Sequence, residues 1–133
     1  MSNGLIQVVA GINIKYVDNI PFVLLGLKPS GIWEFPGGKV ENQESHSETM
    51  EREWIEELGV MVECEHEHFG HARNGAYEVW FYELDIKQDD YQDGEPVSQE
   101  HVDVKYFRLD EVGGIELNQI NRTMLSKLVN KYK

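Results

Sequence analysis

The sequence predicts an α/β fold, an α/β/α sandwich with a mixed, partly antiparallel sheet. Three observations predict it. Apolar, β-branched runs alternate with two stretches of helical periodicity, in the order strands, helix, strands, helix. Turn chemistry at Asp18-Asn19-Ile20-Pro21 and at Asn74-Gly75 closes antiparallel pairs. No linker, repeat or low-complexity segment divides the 133 residues, a length that fits one domain (1–133) with one core. A sheet with a helix before and after its later strands buries both faces.

The elements follow in chain order. Residues 5–14 carry Leu5, Ile6, Val8, Val9, Ala10, Ile12 and Ile14 and read as a buried strand. The turn at 18–21 leads into Phe22-Val23-Leu24-Leu25, paired back on that first strand as a hairpin, and Lys28-Pro29-Ser30-Gly31 breaks it. Ile32–Phe35 is short and extended; Pro36 keeps Phe35 out of the helical region, and Gly37-Gly38 frees the backbone. A helix begins near Ser45 or Ser47. Ser45 and Glu48 have capping-box spacing, Glu48 and Arg52 form a helical ion pair, and Gly59 fits the position just past the end. Val60–Phe69 alternates as a strand, with Val60, Val62, Cys64, His66 and His68 on one face. Tyr77–Ile86 is the next strand, 87–100 a polar connection, and Val102–Phe107 the last strand. From Asn118 to Tyr132, Ile120, Met124, Leu125, Leu128 and Val129 recur at helical spacing.

Composition narrows the function. The formal net charge is -12, so the surface repels long polyanions and argues against long nucleic acid as a partner. Small phosphorylated molecules stay open, because a bound metal and a few local cations can handle them. No run is long and apolar enough to span a membrane, and the first residues show no signal peptide. The single cysteine, Cys64, allows no intrachain disulfide and is compatible with a reducing, cytoplasmic setting. Cys64, His66, His68 and His71 include zinc-type donors, but alternation along one strand spreads three of them over about 13 Å, which argues against a zinc site.

The acidic excess has a focus. Glu53, Glu56 and Glu57, at helical spacings of three and four, lie on one side of the first helix. Three gathered carboxylates repel each other unless a hard divalent cation joins them. Oxygen-only ligands suit Mg²⁺, for which Mn²⁺ can substitute, and such ions pair with phosphates. The alternative reading is a solvated helix face.

The register around these glutamates decides between the two. Gly38, Glu44, Arg52, Glu53, Glu56, Glu57, Gly59 and the apolar Val60 stand at the spacing of the Nudix box, and the chain is identified as resembling that superfamily. The seven fixed identities recur by chance about once in 10⁸ to 10⁹ tries. Trp54 is apolar, as the box requires, but larger than the usual aliphatic. The run Trp33-Glu34-Phe35-Pro36-Gly37-Gly38-Lys39-Val40-Glu41 resembles the MutT branch, the nucleoside triphosphate pyrophosphohydrolases.

The resemblance implies a Nudix-type sandwich and water attack on a phosphorus, taking a nucleoside triphosphate to the monophosphate and pyrophosphate with Mg²⁺. Oxidised purine forms such as 8-oxo-dGTP are among the implied substrates. It implies Glu53, Glu56, Glu57, Glu100 and a Gly37 or Gly38 carbonyl as metal ligands. One of the glutamates serves as general base, and Arg52 pairs with Glu44 as an orienter. Phe35, Lys39, Lys28 and Asn121 are the implied substrate contacts. Several also have a plainer reading: Phe35 and Trp33 as core aromatics, Asn121 as a helix cap, Glu100 and Lys28 as surface residues. Competing activities are pyrophosphate removal from 5′-triphosphate RNA, hydrolysis of another nucleoside-diphosphate derivative, and nucleotide sensing without catalysis. Either a monomer or a homodimer is compatible with the sequence.

Overall fold

The computed structural model describes residues 4–87 and 101–133. Two sheets form the middle layer. In the first, β1 (Ile6–Ile12) runs parallel to β8 (Tyr77–Ile86), with Val9 opposite Trp80. β5 (Gly37–Lys39) pairs antiparallel with the other edge of β1, and β6 (Val62–Cys64) and β7 (Gly70–Asn74) pair antiparallel with β8. In the second, β3 (Ile20–Leu27) carries β2 (Ile14–Val17), β4 (Trp33–Glu34) and β9 (Asp103–Arg108), all antiparallel.

Period-two alternation sends neighbouring residues to opposite faces, and two cores result. Ala10, Val23, Leu25 and Phe81 face Met124, Leu125 and Leu128 of α2 (Gln119–Lys131). Val9, Leu24, Leu84 and Val104 face Met50, Trp54 and Leu58 of α1 (His46–Leu58). The layers are therefore helix, sheets, helix, the mixed α/β/α sandwich expected from the element order.

Three local expectations change. The apolar run 5–14 is not one strand, because Asn13, 5% exposed, interrupts it. Its side-chain amide donates to Leu84 O at 3.1 Å, its Oδ1 accepts from Tyr106 Oη at 2.5 Å, and its carbonyl accepts from Leu24 N at 3.2 Å. A buried amide must satisfy these groups, and doing so carries the chain from one sheet to the other. The hairpin partner of β3 is therefore β2, across a turn with Asp18 and Asn19 both left-handed. Val60–Phe69 is likewise not one strand. Glu65 N still bonds Glu83 O and Phe69 N bonds Phe81 O, but the exposed residues 66–68 bulge out opposite Tyr82, so His66 and His68 do not share a strand face with Cys64. Finally, Gly37 and Gly38 are extended strand residues rather than free backbone, and neither has a positive φ. Glycine is needed there for close approach: a Cβ on Gly37 would stand 1.9 Å from Val9 O.

The ends of α1 are as the sequence predicts. Ser45 Oγ accepts from Glu48 N while the Glu48 carboxylate accepts from Ser45 N, and Gly59 closes α1 in the left-handed conformation at φ 69°. Trp54 fits because Gly11 has no side chain: a Cβ there would meet the indole Nε1 at 2.7 Å. The same indole N–H donates to Pro36 O at 3.0 Å, which ties α1 to the chain entering β5. No helix among the described residues is long and apolar enough to cross a membrane.

Candidate active site

β5 delivers the chain to the N-terminal half of α1, and Arg52 joins the two. Its Nη2 donates to the Lys39 carbonyl at 3.2 Å, while its Nε and Nη2 grip the Glu44 carboxylate at 2.7 and 3.0 Å. Glu44 also accepts from Thr49 Oγ1 at 2.9 Å and Glu41 N at 3.0 Å. Hydrogen bonding from Arg52, then from the Glu41 amide, holds the Glu44 carboxyl down at about 2, against an ordinary 4.5. Glu44 in turn holds the Arg52 guanidinium above its ordinary value. A bidentate arginine–carboxylate pair fixes orientation as well as charge, so Arg52 sits where an orienter of the loop and helix belongs.

The three α1 glutamates lie on one side of the helix but have different neighbours. Glu53 reaches over Gly38, where a Cβ would stand 1.7 Å from its Oε2. Glu56 is mostly exposed, with Oε1 3.3 Å from Arg52 Nη1. Glu57 is 2% exposed, with Oε1 3.3 Å from His101 Nδ1. Like charges repel, and cations or ring nitrogens offset this: Arg52 Nη1 lies 3.7 Å from Glu53 Oε2 and 3.3 Å from Glu56 Oε1, while Glu57 lies against His101. Among the described residues no three His, Cys, Asp or Glu side chains stand gathered as a ready-made cation cage. The fit to a hard divalent ion rests instead on chemistry and on the cradle. Every candidate donor is an oxygen, and Gly38 leaves the space a side chain would fill beside Glu53.

Glu53 opens onto a cleft of about 560 Å³ between β1, β5 and the start of α2. Lys28, Lys39, Asn118 and Asn121 also line the cleft. Phe35 lines it too, although it is 3% exposed and packed edge-to-face on Phe81, so its core and cleft readings coincide. Trp33 packs edge-to-face on Phe107. The α2 cap is Asn118, whose Oδ1 accepts from Asn121 N at 2.8 Å, rather than Asn121. That leaves the Asn121 side chain, 7% exposed, at the cleft. Glu100 lies outside the described residues.

Sequence reasoning missed several cleft residues. Asn118 was within reach, since it precedes the apolar periodicity of α2 at a capping position. Glu34, Asn74 and Tyr77 also line the cleft; the sequence placed them in the MutT-like run, a turn and a strand start, with no site role. His101, whose side chain is 0% exposed, contacts Glu34 and Glu57. Its one signal was indirect: Gly26, an isolated glycine in an apolar strand, marks a close approach, and a Cβ there would stand 2.6 Å from the His101 ring.

Comparison with known proteins accords with this geometry. The family model for the NUDIX domain matches residues 22–128. The oxidized purine nucleoside triphosphate hydrolase of Mus musculus is 31% identical over 96 residues, 68% of this chain and 60% of that protein. The CTP pyrophosphohydrolase of Escherichia coli K12 is 41% identical over 61 residues, 42% of each chain. The chain thus spans less than two thirds of the length of the curated relatives it matches. Among solved structures, one from work on MutT of Aliivibrio salmonicida and Vibrio cholerae superposes with a TM-score of 0.71 at 28% identity, covering 95% of this chain and 98% of that one.

Proposed function

The chain belongs to the NUDIX family, and from that premise we propose that it hydrolyses nucleotide phosphoric anhydrides, MutT-like, taking nucleoside triphosphates to the monophosphate and pyrophosphate with Mg²⁺. One observation carries the reading: a single cleft joins the Glu53 carboxylate, seated over Gly38, to the amide and aromatic end formed by Asn118, Asn121 and Phe35. Such a cleft can hold a polyphosphate at one end and a base at the other.

Glu53, Glu56 and Glu57, with a Gly37 or Gly38 carbonyl and Glu100, would hold the metal. Bound divalent ions supply charge neutralisation and a more acidic water. The chain's own residues do the rest. Lys28 and Lys39 meet phosphate oxygens, and the Arg52–Glu44 pair keeps β5 and α1 in register. A cleft carboxylate takes the proton as a water oxygen bonds to phosphorus. The bond from phosphorus to the bridging oxygen breaks, pyrophosphate departs, and the proton passes to solvent.

The named relatives act on different bases, one on oxidised purines and one on CTP. Amide side chains at the base end can hydrogen-bond either, so the test spans both. The protein is incubated with Mg²⁺ and canonical triphosphates including CTP, 8-oxo-dGTP, nucleotide sugars and triphosphorylated RNA, and pyrophosphate and monophosphate are measured. Turnover of free triphosphates is expected. Turnover confined to RNA or to nucleotide sugars would replace the substrate assignment, and no turnover at all would make the chain a binding module.

A further inference from the structure

We propose that His101 is a positioning residue that ties the metal-site carboxylate Glu57 on α1 to Glu34 on the cleft wall; the proposal rests on the metal reading of α1 given above. His101 Nε2 lies 2.8 Å from Glu34 Oε2, and Nδ1 lies 3.3 Å from Glu57 Oε1. The imidazole is 0% exposed and Glu57 is 2% exposed, so water does not compete for the Glu57 contact, while Glu34 keeps 24% of its side chain exposed. The Nε2 contact to Glu34 is a hydrogen bond, whereas the Nδ1 contact to Glu57 is one of ion-pair distance and not of hydrogen-bond geometry.

The surroundings hold the ring in place. Gly26 in β3 leaves the space the imidazole occupies, since a Cβ would meet its Cδ2 at 2.6 Å and its Nε2 at 2.7 Å. Gly26 also pairs with Glu34 of β4 and, on its other side, with Val104 of β9. One strand therefore fixes both the ring and one of its partners. Glu34 lines the cleft, whereas Glu57 is buried on α1. His101 is the side chain that spans the two, linking the second sheet to α1. Groups that orient a ligating carboxylate change metal affinity or activity by about 10- to 100-fold when removed.

The test reads Mn²⁺ binding in the absence of substrate, by paramagnetic resonance of free Mn²⁺, for the wild-type protein, His101→Ala, His101→Asn and Glu34→Gln. The expected result is a Mn²⁺ dissociation constant raised about tenfold in His101→Ala. His101→Asn, which keeps a donor, should recover a substantial part of that loss. Glu34→Gln, which alters the far end while leaving α1 intact, should weaken binding severalfold, and it decides the matter if His101→Ala does not fold. Parallel hydrolysis assays should show kcat falling more than KM rises. Wild-type affinity in folded His101→Ala, or in Glu34→Gln where His101→Ala is unfolded, overturns the positioning role. Absence of Mn²⁺ binding by the wild-type protein instead overturns the metal reading of α1.

Discussion

A methyl group added at position 38 meets Glu53. The new Cβ would stand 1.7 Å from Glu53 Oε2 and 2.3 Å from its Cδ, and ordinary contact begins at 3.4 Å. The carboxylate must therefore retreat by roughly 1.7 Å, the difference between those separations. Gly38 is extended rather than left-handed, so alanine brings no backbone strain of its own. The displaced atoms are the end of a side chain, which can rotate, so the fold should tolerate the change. Chemistry should not, because a misplacement of about 1 Å at a reacting centre can lower rates by about 10²-fold. The expected effect of Gly38→Ala is a loss of at least ~10²-fold in kcat/KM, equivalent to ~2.7 kcal/mol of transition-state stabilisation.

Gly37→Ala supplies the contrast. Its Cβ would meet backbone, Val9 O at 1.9 Å and Ala10 Cα at 2.8 Å, in the middle of the β1–β5 pairing. Backbone cannot swing aside, so the strands must part. Overpacking of this kind costs about 3 kcal/mol or more, a fall of roughly 10 °C in melting temperature for a domain of this size. Both variants are measured by pyrophosphate release with Mg²⁺ and by thermal unfolding followed by circular dichroism. If Gly38→Ala keeps kcat/KM within threefold of wild type, the seat of Glu53 over Gly38 has no part in catalysis.

The other predictions use the same assays. Glu53→Gln keeps the shape of the side chain and removes its charge, so turnover should fall by about 10²- to 10⁴-fold with little change in melting; near-normal turnover would remove Glu53 from the site. In the wild-type protein the stability contributed by Glu44 is fully present above its ordinary 4.5 and is lost as pH falls toward about 2, because the native carboxyl titrates lower than the unfolded one. Arg52→Ala removes the first cause of that depression, so its urea midpoint should change less than that of wild type between pH 5 and pH 2.5; equal changes would refute the pairing. Ser45→Ala removes the hydroxyl that caps α1 and should lower stability by about 1 kcal/mol, read as a shift in the urea midpoint at unchanged slope; an unaltered midpoint would mean the capping box contributes nothing.

The parts of the fold legible in the sequence were those fixed by neighbours in the chain. Ser45, Glu48 and Gly59 set the ends of α1 through contacts within a turn, and α2 follows from the apolar repeat that Met124, Leu125 and Leu128 continue. Asn13 shows the limit. It follows an apolar run whose periodicity does not stop, and its effect comes from Leu84, 71 residues away, and Tyr106, 93 away. The bulge at 66–68 is similar, because the alternation of Glu and His there looks like a strand while no core exists for it to face. At the site, spacing along one helix located Glu53, Glu56 and Glu57. It could not tell that Glu57 would be buried against His101 while Glu56 stayed at the surface on Arg52. Those neighbours arrive from β9's approach and from the helix's own outer face, which helical period alone does not rank.

The charges lining the cleft explain why the acidic box and a phosphate substrate belong together. Lys28 and Lys39 line the same cleft as Glu34, Glu41 and Glu53. Taken alone, that balance repels a polyphosphate, and the repulsion is stronger at a partly buried site than in water. A purely cationic cleft would bind phosphate without help but would also attract the long polyanions that a net charge of -12 turns away. Divalent ions held by the α1 carboxylates would resolve this, because the affinity they lend to a nucleotide equals the affinity the nucleotide lends to them. On the proposed function, the carboxylates crowded on α1 would make substrate capture conditional on metal. Selection among nucleotides would then fall to the cleft residues that present amides rather than charge, Asn118 and Asn121.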